Sequence, residues 1–492
     1  MTGKTTSTPA FARRAFVSDI MTWQYETPDP FALHLEHDRE FIPWMAARGI
    51  NAFSYIRHPR DSRLKIDELL PLYRENGIVS EYGGHVLQLL MPRDRFAANP
   101  EFFPLDADGK RNPRGNLCTS NEAAIALVRE GAVRYISENP ECALLHIWGA
   151  DVKAGAWCRC TGCSELSPQH QYMKVVNVVA AAVGESPTAA MPVAYLAYHD
   201  TLDPVPDLNP LPNVSFEWAP RERCYGHAID DHACAVNPRY LESLKRYLEI
   251  FDGRGHVFEY YADAILFGGL GIATPAIIAR DLRKYRALGI TSVSCLTFGA
   301  YSVLAYPVNL EAFARATHSP DFDPDATIAD VAAQRHPECA SAMTAAYRSI
   351  ARASVLILDR GGEVMRLPLD TSGAAGRIRD LRVAHRILGE ACVAADHILG
   401  TVRDELTPAE RAIWQYGREV VRGIADYIEA ASFLGDERRR RGKHAIAVIG
   451  EAIAHVRGID LPLKGTWGAY DIEWVREIWL TGLRRRFGEV EI

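Results

Sequence analysis

Three cysteines fall within six residues in Cys158-x-Cys160-x2-Cys163, and just before them His146 and Asp151 follow an apolar run in LLHIWGAD. Three thiolates this close on a turn supply most of a tetrahedral zinc site, with the fourth ligand drawn from elsewhere. Cys118, His170 and Cys142 are the candidates for that place. A closed site would be structural, and a three-ligand site with an open position for water would be catalytic. The same thiols equally suit a packed loop without metal. His146 and Asp151 offer acid/base chemistry instead. Which chemistry applies depends on the elements that carry these residues.

Short β-rich apolar runs alternate with longer amphipathic ones. The expected strands are residues 15–19, 51–57, 78–85, 143–151, 192–199, 214–220, 256–263 and 291–299. Between them lie helical patterns such as DREFIPWMAARG, SNEAAIALVREGAVRYISENP and NPRYLESLKRYLEIFDG. The phrases MAARGINAF, YRENGIVSE and YRALGITSV share one form, in which a helix ends, Gly and Ile follow, and a strand begins. That is the return of a parallel sheet. Eight such alternations predict a (β/α)8 barrel over residues 1–320. No strand is followed by a G-x-G-x-x-G or Walker loop, which disfavours an open doubly wound sheet, and GGLGIATP near Gly268 follows a loop. Residues 321–492 read as an α-helical domain, expected to brace the barrel or to form a homodimer interface.

A barrel's reactive groups come from the C-terminal ends of its strands. The assignment therefore singles out Asp19, His85, His146, Asp151, Tyr198, His199, Glu217, Arg221, Arg223, Tyr260, Tyr261 and Asp263. Each has a plainer role available. Asp19 and Asp263 can cap helices, His85 and His199 can be buried and hydrogen-bonded, and Glu217 can pair with Arg221. Together they compose a polar mouth, and Trp23, Trp148, Trp157 and Trp218 fall near it. Acids and aromatic faces in one place suit a sugar.

Bulk properties narrow the partners. A net charge of −7 over 492 residues gives no general attraction to nucleic acid or anionic membrane. The run Arg438–Arg441 reads as a solvated helix end or loop. No apolar stretch approaches the ~18 to 20 residues of a membrane helix. The N-terminal MTGKTTSTPAFARRAF lacks an apolar region ahead of a cleavage site, so a cytoplasmic protein with its ten cysteines reduced is expected.

The runs EYGGHVLQLLMPRDRF, GNLCTSNEAA, HIWGADVKAGAWCRCTGC, FEWAPRERCYGHAIDDHACAVNPRY and FEYYADAILF resemble a bacterial family of barrel proteins known only as a domain of unknown function. That group is similar to the inverting sialidases of glycoside hydrolase family 156. The resemblance extends over about residues 10 to 320 and more loosely beyond. It implies a (β/α)8 exo-sialidase that needs no cofactor and acts by single displacement. Asp19 matches the family's aspartate and would be general base. His146, or else His85, matches its histidine and would be general acid. The repeated S-x-D-x-G-x-T-W boxes of propeller sialidases are absent.

The implied pairing is physically reasonable. Sialic acid carries a carboxylate at its anomeric carbon, which would repel a second anion acting as acid and attract an imidazolium. Arg221 and Arg223 would then clamp the sugar carboxylate, and Asp151 would orient His146 or bind a hydroxyl. Three alternatives stay open. A barrel hydrolase could act on a uronic, neutral or N-acetylated sugar through a carboxylate pair from Glu217, Asp263 and Asp151. The cysteines could serve a zinc-dependent hydrolase, or the barrel could bind glycans without catalysis.

Overall fold

In the computed structural model, residues 8–19, 30–56, 68–153, 155–187, 190–364 and 374–457 are described. Arg57, the last residue of the second expected strand, and Trp23, expected near the mouth, lie outside them. Every expected strand forms, and each pairs in parallel with its sequence neighbours until the ring closes. The order is β1 (Arg13–Ser18), α1 (Pro30–Ala47), β2 (Ala52–Tyr55), α2 (Leu70–Glu75), β3 (Val79–Gly84), α3 (Leu87–Leu90), α4 (Glu122–Glu138) and β4 (Leu145–Ile147). It continues with α5 (Pro168–Gly184), β5 (Val193–Ala197), β6 (Val214–Trp218), α6 (Asn237–Ile250), β7 (Gly255–Glu259), α7 (Pro275–Ala287) and β8 (Ser292–Thr297). The closing pair sets Ala15 of β1 beside Ser294 of β8.

Strand parity divides the side chains into two sets. Large aromatics face the helices: Phe16 packs on Phe41 of α1, Tyr195 on Tyr172 of α5, and Trp218 donates to Ser243 of α6. The alternate residues fill the interior. The Gly-Ile returns carry positive φ at Gly49, Gly77 and Gly289, as a helix closing into a strand requires. Gly83 has a stricter reason, because a Cβ there would stand 1.9 Å from the carbonyl oxygen of His146 on the adjacent strand.

Among the described residues, seven helices follow the last strand. α8 (Gly299–Ala305) and α9 (Pro307–His318) complete the barrel wall, and α10 (Pro324–Arg335), α11 (Ala340–Leu358), α12 (Ala374–Leu399), α13 (Thr407–Ala430) and α14 (Gly435–Arg457) form a helical bundle. The bundle is seated on the connection after β7. Tyr416 donates to the carbonyl of Gly268 at 2.6 Å, and the amide of Val364 donates to Leu266 at 2.9 Å. The glycine-rich GGLG turn is therefore a docking surface for α13. Arg440 and Arg441 pair with Glu437 on an exposed face of α14. Among the described residues, no helix is long and apolar enough to cross a membrane.

Candidate active site

The strand ends surround a cavity of about 410 Å³ at the C-terminal mouth of the barrel, within the range of small-ligand sites. Nine of the residues expected at the mouth line it: Asp19, His85, Trp148, Asp151, Tyr198, His199, Arg221, Tyr260 and Asp263. Trp148 and Phe258 stack at 5.6 Å. Burial holds the phenols of Tyr198 and Tyr260 well above their ordinary range, so both remain neutral hydrogen-bond donors.

His146 and Glu217 do not line this cavity. Both belong to an ionic layer one step down the barrel, beneath Trp148, whose indole N–H donates to Glu217 at 2.7 Å. His146 reaches Glu217 through Nδ1 at 3.0 Å and Glu81 through Nε2 at 3.3 Å. Arg13 pairs with Glu81, and His256 stands 3.1 Å from Glu217. Burial alone would lower the His146 pKa, but Glu217 and Glu81 outweigh it and push it up to about 9. Burial would raise Glu81, yet Arg13 and His146 draw it down to about 2. Burial lowers His256 below its ordinary value. Two cations, Arg13 and His146, thus meet two anions, Glu81 and Glu217.

A pH dependence of stability follows. The raised His146 contributes stability that is full below 6.5 and lost as pH climbs through about 9. The depressed Glu81 contributes stability that is present above 4.5 and lost as pH falls through about 2. Thermal unfolding scans should show the layer's full contribution between those two ordinary values and a decline through about pH 9. A midpoint that keeps rising to pH 9 would contradict a charged His146.

The two arginines part company. Arg221 lines the cavity, where its Nε donates to Asp263 and its Nη1 to Glu363, both at 2.8 Å. Burial would lower its pKa, but Asp263 prevails and raises it. Arg223 is fully buried away from the mouth, paired with Asp281 and Glu259 and lying over the ring of Tyr225. It is a structural ion, not a substrate clamp. Asp151 likewise has a different neighbour from the one expected, since its carboxylate stands 3.8 Å from His199 rather than beside His146.

His199 has a φ of +48°, an uncommon conformation for a residue with a side chain, and its ring lies 3.7 Å from that of Tyr198. Burial lowers its pKa to about 4 against the pull of Asp151, so it is neutral near pH 7. His85 contacts the carbonyl of Gly149 through Nδ1 at 2.6 Å. A carbonyl only accepts, so Nδ1 carries the proton, and a neutral ring has its lone pair on Nε2.

Glu363 and Lys153, which the strand ends do not point to, also line the cavity. Glu363 belongs to the segment after α11, in the part read as a separate helical domain, and nothing local marks it. Lys153 follows Asp151 by two residues and pairs with Glu222. Outside the cavity, the three clustered cysteines do acquire a fourth partner: Cys118, Cys158, Cys160 and Cys163 bring their sulfur atoms within 4.8 Å of one another. His170 instead meets the hydroxyl of Ser167, and Cys142 donates to the carbonyl of Leu144.

A family model described as "Domain of unknown function (DUF4838)" matches residues 16–297. No curated protein sequence matches the chain. Among solved structures, a "GH138 enzyme targeting pectin rhamnogalacturonan II" is similar with a TM-score of 0.57 and 9% identity, over 98% of this chain and 69% of its own. The structure of CpGH84B is similar with a TM-score of 0.51 and 11% identity, over 95% of this chain and 78% of its own. Likeness at these identities is likeness of fold.

Proposed function

We propose that this chain, which belongs to the DUF4838 family, is a barrel glycoside hydrolase that releases a neutral sugar from a glycan by single displacement. The observation that carries the reading is the pairing of carboxylates with aromatic faces around one cavity. Asp19 is carried by β1, while Asp151, with His199 beside it, is carried by the connections after β4 and β5. In the closed ring β4 stands three strands away from β1, so Asp19 and Asp151 come to the mouth from well-separated strands. A sugar seated between those two strands would have a carboxyl toward each face, as direct displacement by water needs. Asp19 is the base that activates water, and Asp151 is the acid that protonates the leaving oxygen.

Charge favours a neutral sugar over a sialoside. Arg221 and Lys153 stand among the acids Asp19, Asp151, Asp263 and Glu363 in the lining of the cavity. Arg221, the expected carboxylate clamp, already donates to two of those acids, and Arg223 is buried elsewhere. A sugar carboxylate would have to displace those two acids from Arg221, whereas the hydroxyls of a neutral sugar would not. The fold shared with the GH138 enzyme is compatible with a glycoside hydrolase and does not bear on the charge of the sugar.

A panel of aryl glycosides followed by NMR tests it. Turnover of at least one neutral aryl glycoside, with the inverted anomer appearing first, is expected, and an aryl sialoside should be left intact. Failure of every neutral glycoside, or hydrolysis of the sialoside alone, would overturn the proposal.

A further inference from the structure

Four thiols outside the cavity take no part in that chemistry. Cys118 Sγ lies 3.6 Å from Cys160 Sγ and 4.0 Å from Cys163 Sγ, with Cys158 in the same cluster. A disulfide requires about 2.05 Å between sulfurs, and all four cysteines are free. Four thiolates each at about 2.3 Å from a tetrahedral zinc ion stand about 3.8 Å apart. The spacing here brackets that value.

The surroundings are built to hold charged sulfur. The amides of Leu105 and Cys160 donate to Cys158 Sγ at 3.3 and 3.5 Å. The Thr119 hydroxyl lies 3.4 Å from Cys163 Sγ, and that of Ser120 lies 3.3 Å from Cys118 Sγ and 3.4 Å from Cys160 Sγ. Arg111 places a guanidinium nitrogen 3.8 Å from Cys158 Sγ, opposing the net negative charge that four thiolates leave on a divalent ion. Donors converging on sulfur in this way orient and stabilise metal thiolates.

We propose that Cys118, Cys158, Cys160 and Cys163 bind one structural zinc ion. Each thiol gives its proton to solvent as it ligates. Four sulfur ligands leave no position for water, so the ion serves as a clasp rather than a catalyst. It joins the connection after β3 to the connection after β4, which three backbone bonds already run between or brace: Cys118 to Phe102, Asn116 to Ala156 and Arg159 to Leu105. The side chain of Asn116 then accepts from the amide of Ala150, next to Asp151. The clasp thereby steadies the loop that carries Asp151 and Lys153 into the cavity. This inference does not depend on the glycosidase reading.

Metal analysis of the full chain against a C118S/C160S double variant provides the test. A second cluster, Cys224, His227 and Cys234, also brings ligand atoms together, so the informative quantity is the difference between the two proteins. The variant should carry one zinc ion fewer per chain and unfold at a temperature lower by about 10 °C or more. Equal zinc contents, or iron as the missing ion, would overturn the proposal. If the variant does not fold, cobalt-loaded wild-type protein is read instead. The intense visible and charge-transfer absorption of tetrahedral cobalt with four thiolates is expected, and its absence would likewise overturn the site.

Discussion

Replacing His146 with alanine should destabilise the protein by about 3–5 kcal/mol, the cost of removing one partner from a buried ion pair. The imidazole contacts both Glu217 and Glu81. Without it, Arg13 would be left to offset two buried carboxylates, since burial keeps His256 from charging easily. A loss of this size is a large part of the roughly 5–15 kcal/mol that stabilises a folded domain. Equilibrium unfolding in urea measures it. An alanine variant with the wild-type midpoint and no turnover would place His146 in the chemistry and refute the role of the ionic layer. Glu217→Ala should behave in the same way, for it leaves His146 charged beneath Trp148 with Glu81 as its remaining carboxylate.

The sequence pattern misplaced His146 by one step, for a geometric reason. His146 and Trp148 share a parity, so both point into the barrel. Two residues of strand separate them, however, by about 6.6 Å along the strand. That distance is the difference between a cavity wall and the layer below it. The eight-strand alternation was easier to read, because short apolar runs and amphipathic segments alternate throughout, three Gly-Ile returns mark the same junction, and one error does not spoil the count. Arg221 and Arg223 show the limit of such reading. They are two residues apart in a loop, yet Arg223 finds Glu259 and Asp281, 36 and 58 residues away. Glu363 lies 142 residues from Arg221, and no local pattern links the two. The cysteines fall between these cases. Three were evident from spacing, and the fourth, Cys118, was one of three candidates that only the folded loops could separate.

Asp19→Asn should lower kcat by about 10²–10⁴-fold, as loss of a positioned general base does, while moving the unfolding midpoint far less than His146→Ala. The amide keeps the shape of the carboxyl but cannot take a proton from water. The loss should therefore be similar for activated aryl glycosides and for substrates with poor leaving groups, and a small anion such as azide should restore turnover by attacking in place of water. Asp151→Asn should divide the substrates instead. An acid is needed only where the leaving oxygen needs a proton, so activated aryl glycosides should keep most of their rate and alkyl glycosides should lose it. The contrast between the two variants assigns the roles independently of any change in fold. Wild-type kcat in Asp19→Asn would move the base elsewhere around the mouth. If Asp151→Asn instead abolished activated and unactivated substrates alike, its carboxyl would be acting as base or nucleophile rather than acid.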